Sequence, residues 1–318
     1  MKNAIISGTG SYLPGRQLTN TELESSLDTT HEWVYSRTGI SSRCIASDEE
    51  TTSFMAGKAA LKALEASQLT PDDIDLVIVA TCTPDHYFPS IACHVQKALG
   101  ITRSIGAFDV SAACSGFVYA LDVAKQYIGA GTAKHIMVVG SETLSRAVDW
   151  TDRSTCILFG DGAGAVVLSA SEEPGIMGSA IHSSFDDEKL LTYVNSVDEH
   201  GKRACITMSG NEVFKIAVTI MGDIVDEILA LSNLQKSDIN WLVPHQANIR
   251  IIQAIAKKLA LPMSQVIVTI ENQGNTSAAS IPLALDVSIR EKKIKRGDLL
   301  LLESFGGGMT WGAMVVRY

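Results

Sequence analysis

No apolar run in this sequence approaches the ~18 residues that a membrane-spanning helix needs, so a membrane protein of that kind is not expected. Its six cysteines (Cys44, Cys82, Cys93, Cys114, Cys156 and Cys205) form no Cys-x-x-Cys pair and no Cys/His ligand spacing. Neither a zinc site nor a disulfide framework is indicated, and no metal is expected. Basic charge is short: 26 Lys plus Arg stand against 35 Asp plus Glu, a net charge of −9. General nucleic-acid binding needs clustered cations, so it is excluded, and an anionic partner requires a local basic patch. Gly8-Thr9-Gly10 lacks the third glycine of a dinucleotide fingerprint and runs into Pro14; Phe305–Gly308 lacks the lysine of a phosphate loop. The opening MKNAIISGTGSYLPGR reads as a first strand and turn rather than an export signal, which leads us to expect a reducing cytoplasm.

What is present is a large core. Hydrophobic residues make up 46% and charged residues 19% of 318, enough chain for about two domains at ~150 residues each. Residues 53–67 have helical spacing, and 74–81 (IDLVIVAT) reads as a strand buried on both faces. Further strands are predicted at 107–110, 135–140 and 163–168, with a helix over 115–128. Alternating strands and helices imply a layered α/β fold. The second half echoes the first: helix 224–231, a turn at 235–238 and strand 239–243 repeat the order of 57–81. Each half also ends in a Gly-rich signature, FGDGAGAVV from Phe159 and FGGGMTWGAMVV from Phe305. A tandem duplication is the simplest account.

Three residues stand where chemistry gathers in such folds, beyond the carboxyl ends of strands. Cys114 (DVSAACSGF) lies between a strand and a helix, where the helix N-terminus favours thiolate and a sharp turn exposes the side chain. The competing reading is a small buried hydrophobe. His245 (PHQAN) directly follows strand 239–243, and Asn275 sits among small residues in GNTSAAS, which signal close backbone approach. A helix cap is the alternative for either. The segment 31–43 (HEWVYSRTGISSR) reads as a loop in which Trp33 and Arg37 offer a stacking face and an anion fork for an adenine nucleotide. Arg250 and Lys257 lie two helical turns apart on one face, with Lys258 adjacent and Lys215 able to join; a solvated charged face is the competing reading.

Together these residues resemble the thiolase superfamily, and within it the β-ketoacyl-acyl-carrier-protein synthase III family. The resemblance runs through GTGSYLPGR, EWVYSRTGI, DVSAACSGF, FGDGAGAVV, GNEVFK, PHQAN, GNTSAAS and SFGGGMTWG, and spans essentially the whole chain. It implies a thiolase-like duplicated α/β fold, two mixed five-stranded sheets in an α-β-α-β-α arrangement, divided into halves 1–172 and 173–318. It implies a catalytic set of Cys114, His245 and Asn275, with an oxyanion hole from the N–H groups of Cys114 and Gly307. Trp33, Arg37 and Arg153 fall on the coenzyme A positions. Lys215, Arg250, Lys257 and Lys258 fall on the acyl-carrier-protein patch, and Phe88 on a residue reaching the partner subunit's acyl pocket in a homodimer. Met309, His31, Trp150 and Ser154 depart from the family's usual residues. The implied reaction joins acetyl-CoA to malonyl-acyl-carrier-protein with loss of CO2, without a cofactor, to start fatty acid synthesis. A thiolase would need a second cysteine near the C-terminal Gly-rich loop, and none follows Cys205. An elongating synthase would carry His where Asn275 stands. A secondary-metabolic condensing enzyme with another primer is the nearest rival, and a cysteine acyl-CoA hydrolase is the rival from a different class.

Overall fold

The computed structural model describes residues 2–194, 196–197 and 204–318. The strongly apolar, β-branched runs form two mixed sheets. The first contains β1 (Asn3–Tyr12), β2 (Leu76–Ala80), β3 (Gly106–Val110), β4 (His135–Thr143) and β5 (Asp161–Ser171) in the order β1-β5-β4-β2-β3. The second contains β6 (Ile176–Ser183), β7 (Trp241–Pro244), β8 (Leu299–Gly306) and β9 (Thr310–Arg317) in the order β7-β8-β9-β6. In each, two antiparallel pairings stand at the end of the earliest strand, and the other end carries two parallel pairings in the first sheet and one in the second. The alternation of strand and helix expected from the sequence is therefore the architecture found.

The helices fill three layers. Helix α3 (Gly116–Gly129) and helix α6 (Ser280–Arg290) lie between the sheets, where Phe117, Leu121, Ile281 and Leu285 share one core with Ile78, Val138, Leu300 and Met314. Helix α2 (Thr52–Ser67) covers the outer face of the first sheet through its Ala-rich stripe. Helices α4 (Gly210–Leu231) and α5 (Ile249–Lys258) cover the outer face of the second. Both central helices are apolar nearly all round because each meets a sheet on either side.

Two expectations need correction. Among the described residues the second sheet has four strands rather than five. Its fifth position is held by a single parallel bridge, Leu242 to Val266, in which Ile267 N donates to Leu242 O at 2.9 Å. The Gln246 side chain takes over the ladder beyond that point. Its Nε2 donates to Pro244 O at 2.8 Å and Ile267 O at 3.1 Å, and its Oε1 accepts from Thr269 N at 2.8 Å and Ile270 N at 3.2 Å. With those backbone groups satisfied, the segment turns away instead of continuing as a strand. The second correction concerns 31–43. Residues His31–Thr38 form a helix, α1, not a loop. Thr30 caps it by accepting from Trp33 N at 3.1 Å, and Gly39 ends it at φ +76. A Cβ on Gly39 would also lie 2.6 Å from Ile249, so the glycine permits α1 to pack on α5.

Candidate active site

Cys114 lies in a turn of 3-10 helix, Ala113–Ser115, between β3 and α3. Ala113 holds a left-handed φ of +46, a strained conformation for a residue with a side chain. The strand end β8 comes in against this turn. A Cβ on Gly306 would sit 2.6 Å from Cys114 N, so glycine is required there. His245 follows β7 directly. Its backbone N–H donates to Glu303 O at 2.8 Å, and its Nδ1 lies 2.7 Å from the Ser280 hydroxyl. Asn275 is bound at both backbone atoms to the first half of the chain: its N donates to Leu158 O at 2.8 Å and its carbonyl accepts from Gly160 N at 3.0 Å. Its Oδ1 accepts from Ser277 N at 2.9 Å, which leaves Nδ2 as the outward donor.

All three side chains line one cavity of about 450 Å3. His245, Asn275 and Phe305 are buried and form its floor; Arg37, Ser154 and Arg250 are exposed and mark its mouth. Because α1 is a helix, Trp33 and Arg37 stand one turn apart on the same face. The Arg37 guanidinium lies 4.3 Å from the Trp33 ring centre, and that of Arg153 lies 4.7 Å from it. Arg153 is held there by the carbonyl of Asp28. The site thus joins a half-buried cysteine and a buried His-Asn pair to an aromatic and cationic rim.

At Cys114 burial opposes the pull of the helix N-terminus toward thiolate. The turn places it half-buried ahead of α3, and burial pushes its thiol up to about 11. Burial pushes the His245 imidazole down to about 3. Both groups are neutral at rest near pH 7.

Residues 108–184 match the family model for 3-oxoacyl-[acyl-carrier-protein] synthase III, and residues 229–318 match the model for its C-terminal part. The β-ketoacyl-[acyl-carrier-protein] synthase III of Alkalilimnicola ehrlichii is 55% identical over 323 residues, covering 100% of both chains. That of Coxiella burnetii is 54% identical over 318 residues, again covering 100% of both. The chain belongs to the β-ketoacyl-acyl-carrier-protein synthase III family. It is an acyltransferase with the thiolase-like fold. Among solved structures, the 3-oxoacyl-[acyl-carrier-protein] synthase III of Aquifex aeolicus superposes with a TM-score of 0.93 at 49% identity, covering 99% of this chain and 100% of that one. The priming β-ketosynthase of the R1128 polyketide pathway superposes with a TM-score of 0.94 at 36% identity, covering 99% and 96%.

The remaining residues read from the family pattern are placed unevenly. Arg250 lines the cavity mouth, its guanidinium 5.6 Å from the Phe214 ring, and Lys257 is exposed on the same helix. Lys215 pairs with Glu212 at 2.8 Å, and Lys258 with Asp223 at 2.9 Å. Such exposed pairs are worth little and open readily to a competing anion. Gly307 follows Gly306, next to the nucleophile's turn, and accepts from the Thr310 hydroxyl at 3.3 Å. Phe88 is not part of the cavity. It is 88% exposed and lines a separate depression with Tyr87, Cys82 and Tyr193. Of the departures from the family's usual residues, Ser154 lines the cavity, whereas the Trp150 indole bonds Ser145 O at 3.2 Å and His31 stacks on Tyr35.

Four polar residues behind the site escaped the sequence reading: Ser280, Ser277, Glu142 and Glu303. Glu303 is fully buried, neither carboxyl oxygen has a hydrogen-bond partner, and burial alone pushes it up to about 8. The sequence signal was a carboxylate inside an apolar strand, in LLLLESFG for Glu303 and HIMVVGSET for Glu142.

Proposed function

We propose that the protein catalyses the decarboxylative condensation of acetyl-CoA with malonyl-acyl-carrier-protein, giving acetoacetyl-acyl-carrier-protein, coenzyme A and CO2, the step that initiates fatty acid synthesis. The observation that carries this reading is the convergence of Cys114, His245 and Asn275 on one cavity whose mouth holds Trp33, Arg37 and Arg250. The order of events is ping-pong. Cys114 attacks the thioester of acetyl-CoA, coenzyme A leaves, and an acetyl-enzyme remains. The N–H groups of Cys114 and Gly307 hold the oxyanion of the tetrahedral adduct; one such donor is worth ~3–4 kcal/mol.

Malonyl-acyl-carrier-protein then enters the same cavity. Loss of CO2 develops enolate charge on its thioester oxygen. Ser280 can donate to His245 Nδ1, which puts the ring proton on Nε2, and Ser277 fixes Asn275 with Nδ2 outward. Two neutral donors therefore face the developing charge, and a neutral imidazole is what burial enforces. The carbanion attacks the acetyl group to form the new carbon–carbon bond. No cofactor enters this scheme.

Trp33 and Arg153 stack and bind the nucleotide of coenzyme A, and Arg250, Lys257, Lys215 and Lys258 receive the acidic carrier. Residues 1–172 and 173–318 are read as duplicated halves meeting at the cavity. The exposed Phe88 reaches the acyl pocket of a second copy in a cytoplasmic homodimer. Among the described residues no helix is long and apolar enough to cross a membrane. A scan of acyl-CoA primers of increasing length against malonyl-acyl-carrier-protein, with products identified by mass, tests the reading. Acetoacetyl-acyl-carrier-protein is the expected main product. A longer or branched product would favour the secondary-metabolic reading, and free acid without a new carbon–carbon bond would establish a hydrolase.

A further inference from the structure

Gly222 is buried in the interior of α4, where glycine is disfavoured. The structure gives the reason. A Cβ at Gly222 would lie 2.1 Å from Lys258 Nζ and Cδ and 2.3 Å from its Cε, so the glycine leaves a slot in which the Lys258 side chain crosses α4. At the end of that slot Nζ donates to Asp223 Oδ1 at 2.9 Å and to Thr219 O at 3.5 Å. Stem and ammonium of Lys258 are therefore both held against α4, while the Asp223 carboxylate that holds them is exposed.

The other cations of the proposed carrier face are held differently. Arg250 crosses α4 at Phe214, and Lys258 crosses it at Gly222, so equal steps of eight residues separate the two crossings on both helices. Helices α4 and α5 thus run side by side in one direction, and the crossings lie about 12 Å apart at 1.5 Å per residue. Arg250 marks the cavity mouth, and Lys258 the far end of the face. Among the described residues neither Arg250 nor Lys257 pairs with an acid. Lys215 pairs with Glu212 one turn away on α4, where both side chains are exposed.

We infer that Gly222 and Asp223 form a latch on Lys258, so that the carrier docks there by ion-pair exchange: an acidic group of the carrier displaces Asp223 from the ammonium. The inference rests on the reading of this face as the carrier's docking surface. Arg250 and Lys257 are open to first contact at the mouth end. Lys258 joins only when a carrier acid reaches the far end and lifts it from its slot. The exchange keeps one ion pair at Lys258 but leaves Asp223 unpaired beside the incoming acid, which weakens the complex. Asp223 takes Lys258 back as the product carrier departs, so the latch lowers affinity by speeding release. Asp223 is thus a specificity-determining residue that acts against binding.

The test is the KM for malonyl-acyl-carrier-protein at two ionic strengths, with acylation by acetyl-CoA as the control that should not change. Asp223→Asn should lower that KM about two- to five-fold at low salt, the span of an exposed ion pair, and by less at high salt. Gly222→Ala keeps every charge and fills the slot. The group in its way is the flexible end of Lys258, which moves aside, so the variant folds and its KM should fall as well. Plain repulsion between Asp223 and the carrier would lower the KM even without Lys258, so both changes are repeated in Lys258→Met. The latch predicts that the gain is lost there. A gain of the same size without Lys258, or no gain in either single variant, overturns the latch. Arg250→Glu separates the two levels: a raised carrier KM beside a failed latch removes the latch alone, whereas an unchanged KM removes the docking face too.

Discussion

His245 and Asn275 act in this account as neutral donors, and each is set by one hydroxyl or amide contact. Ser280 orients the imidazole at 2.7 Å, and Ser277 N orients the Asn275 amide at 2.9 Å. His245→Ala and Asn275→Ala should therefore still accept an acetyl group on Cys114. Condensation should fall on the order of 10²–10³-fold for each, the usual effect of removing an oxyanion donor. Trapped CO2 is the readout, and unimpaired release would reject the role. The three side chains at the cavity floor were legible because each lies beyond a strand in a distinctive local setting. Their supports were not. Ser277 and Ser280 read as small packing residues within GNTSAAS, and the close approach that motif signalled is the contact between Ala278 and Gly140. Glu142 owes its meaning to donors some 60 positions away, which no local pattern discloses.

At the scale of elements, the cavity rim depends on two helices that pack on each other, α1 and α5. Helix α1 was missed because it is short and weakly amphipathic, yet Thr30 at its cap and Gly39 at its end are the signals of a helix. Helix α5 was placed correctly because four of its buried residues (Ile251, Ile252, Ile255 and Ala256) follow helical spacing and leave Arg250 and Lys257 outward. The edge of the second sheet differs from the five strands the resemblance implied because the Gln246 side chain takes the backbone bonds of Ile267, Thr269 and Ile270. Of the four basic residues proposed to receive the carrier, Arg250 also lines the cavity. Arg250→Glu should raise the KM for the carrier several-fold and more steeply at low salt, while acylation by acetyl-CoA is spared. Steady-state kinetics at two ionic strengths would show it, and an unchanged carrier KM would count against this face.

Across the whole molecule, a net charge of −9 coexists with a cationic cavity rim, which on the proposed function would orient an acidic carrier. Two buried acids also tie stability to pH. Glu303 holds its proton up to about 8 when folded, whereas an unfolded glutamate loses it near the ordinary ~4.3. Between those values the folded state binds more protons, so stability falls as pH rises, by at most about 1.4 kcal/mol per pH unit for this group. Glu142 adds the same sign up to about 7. His245 opposes it only at lower pH, since the unfolded imidazole binds the extra proton between about 3 and its ordinary value. Glu303→Gln should accordingly melt higher than wild type at about pH 8 and show a flatter profile above pH 5. Parallel melting profiles for the two proteins would contradict the burial of a neutral acid at that position. The layered topology was legible from strand and helix alternation; the charge state of its interior was not, because it depends on which face of β8 Glu303 occupies.

The central claim is that Cys114 carries the acyl group. The most direct measurement is incubation with labelled acetyl-CoA alone, followed by peptide mapping by mass. The account predicts one acetyl group per chain, on the peptide containing Cys114 and absent from Cys114→Ala. Label on another residue, or no label at all, would contradict it.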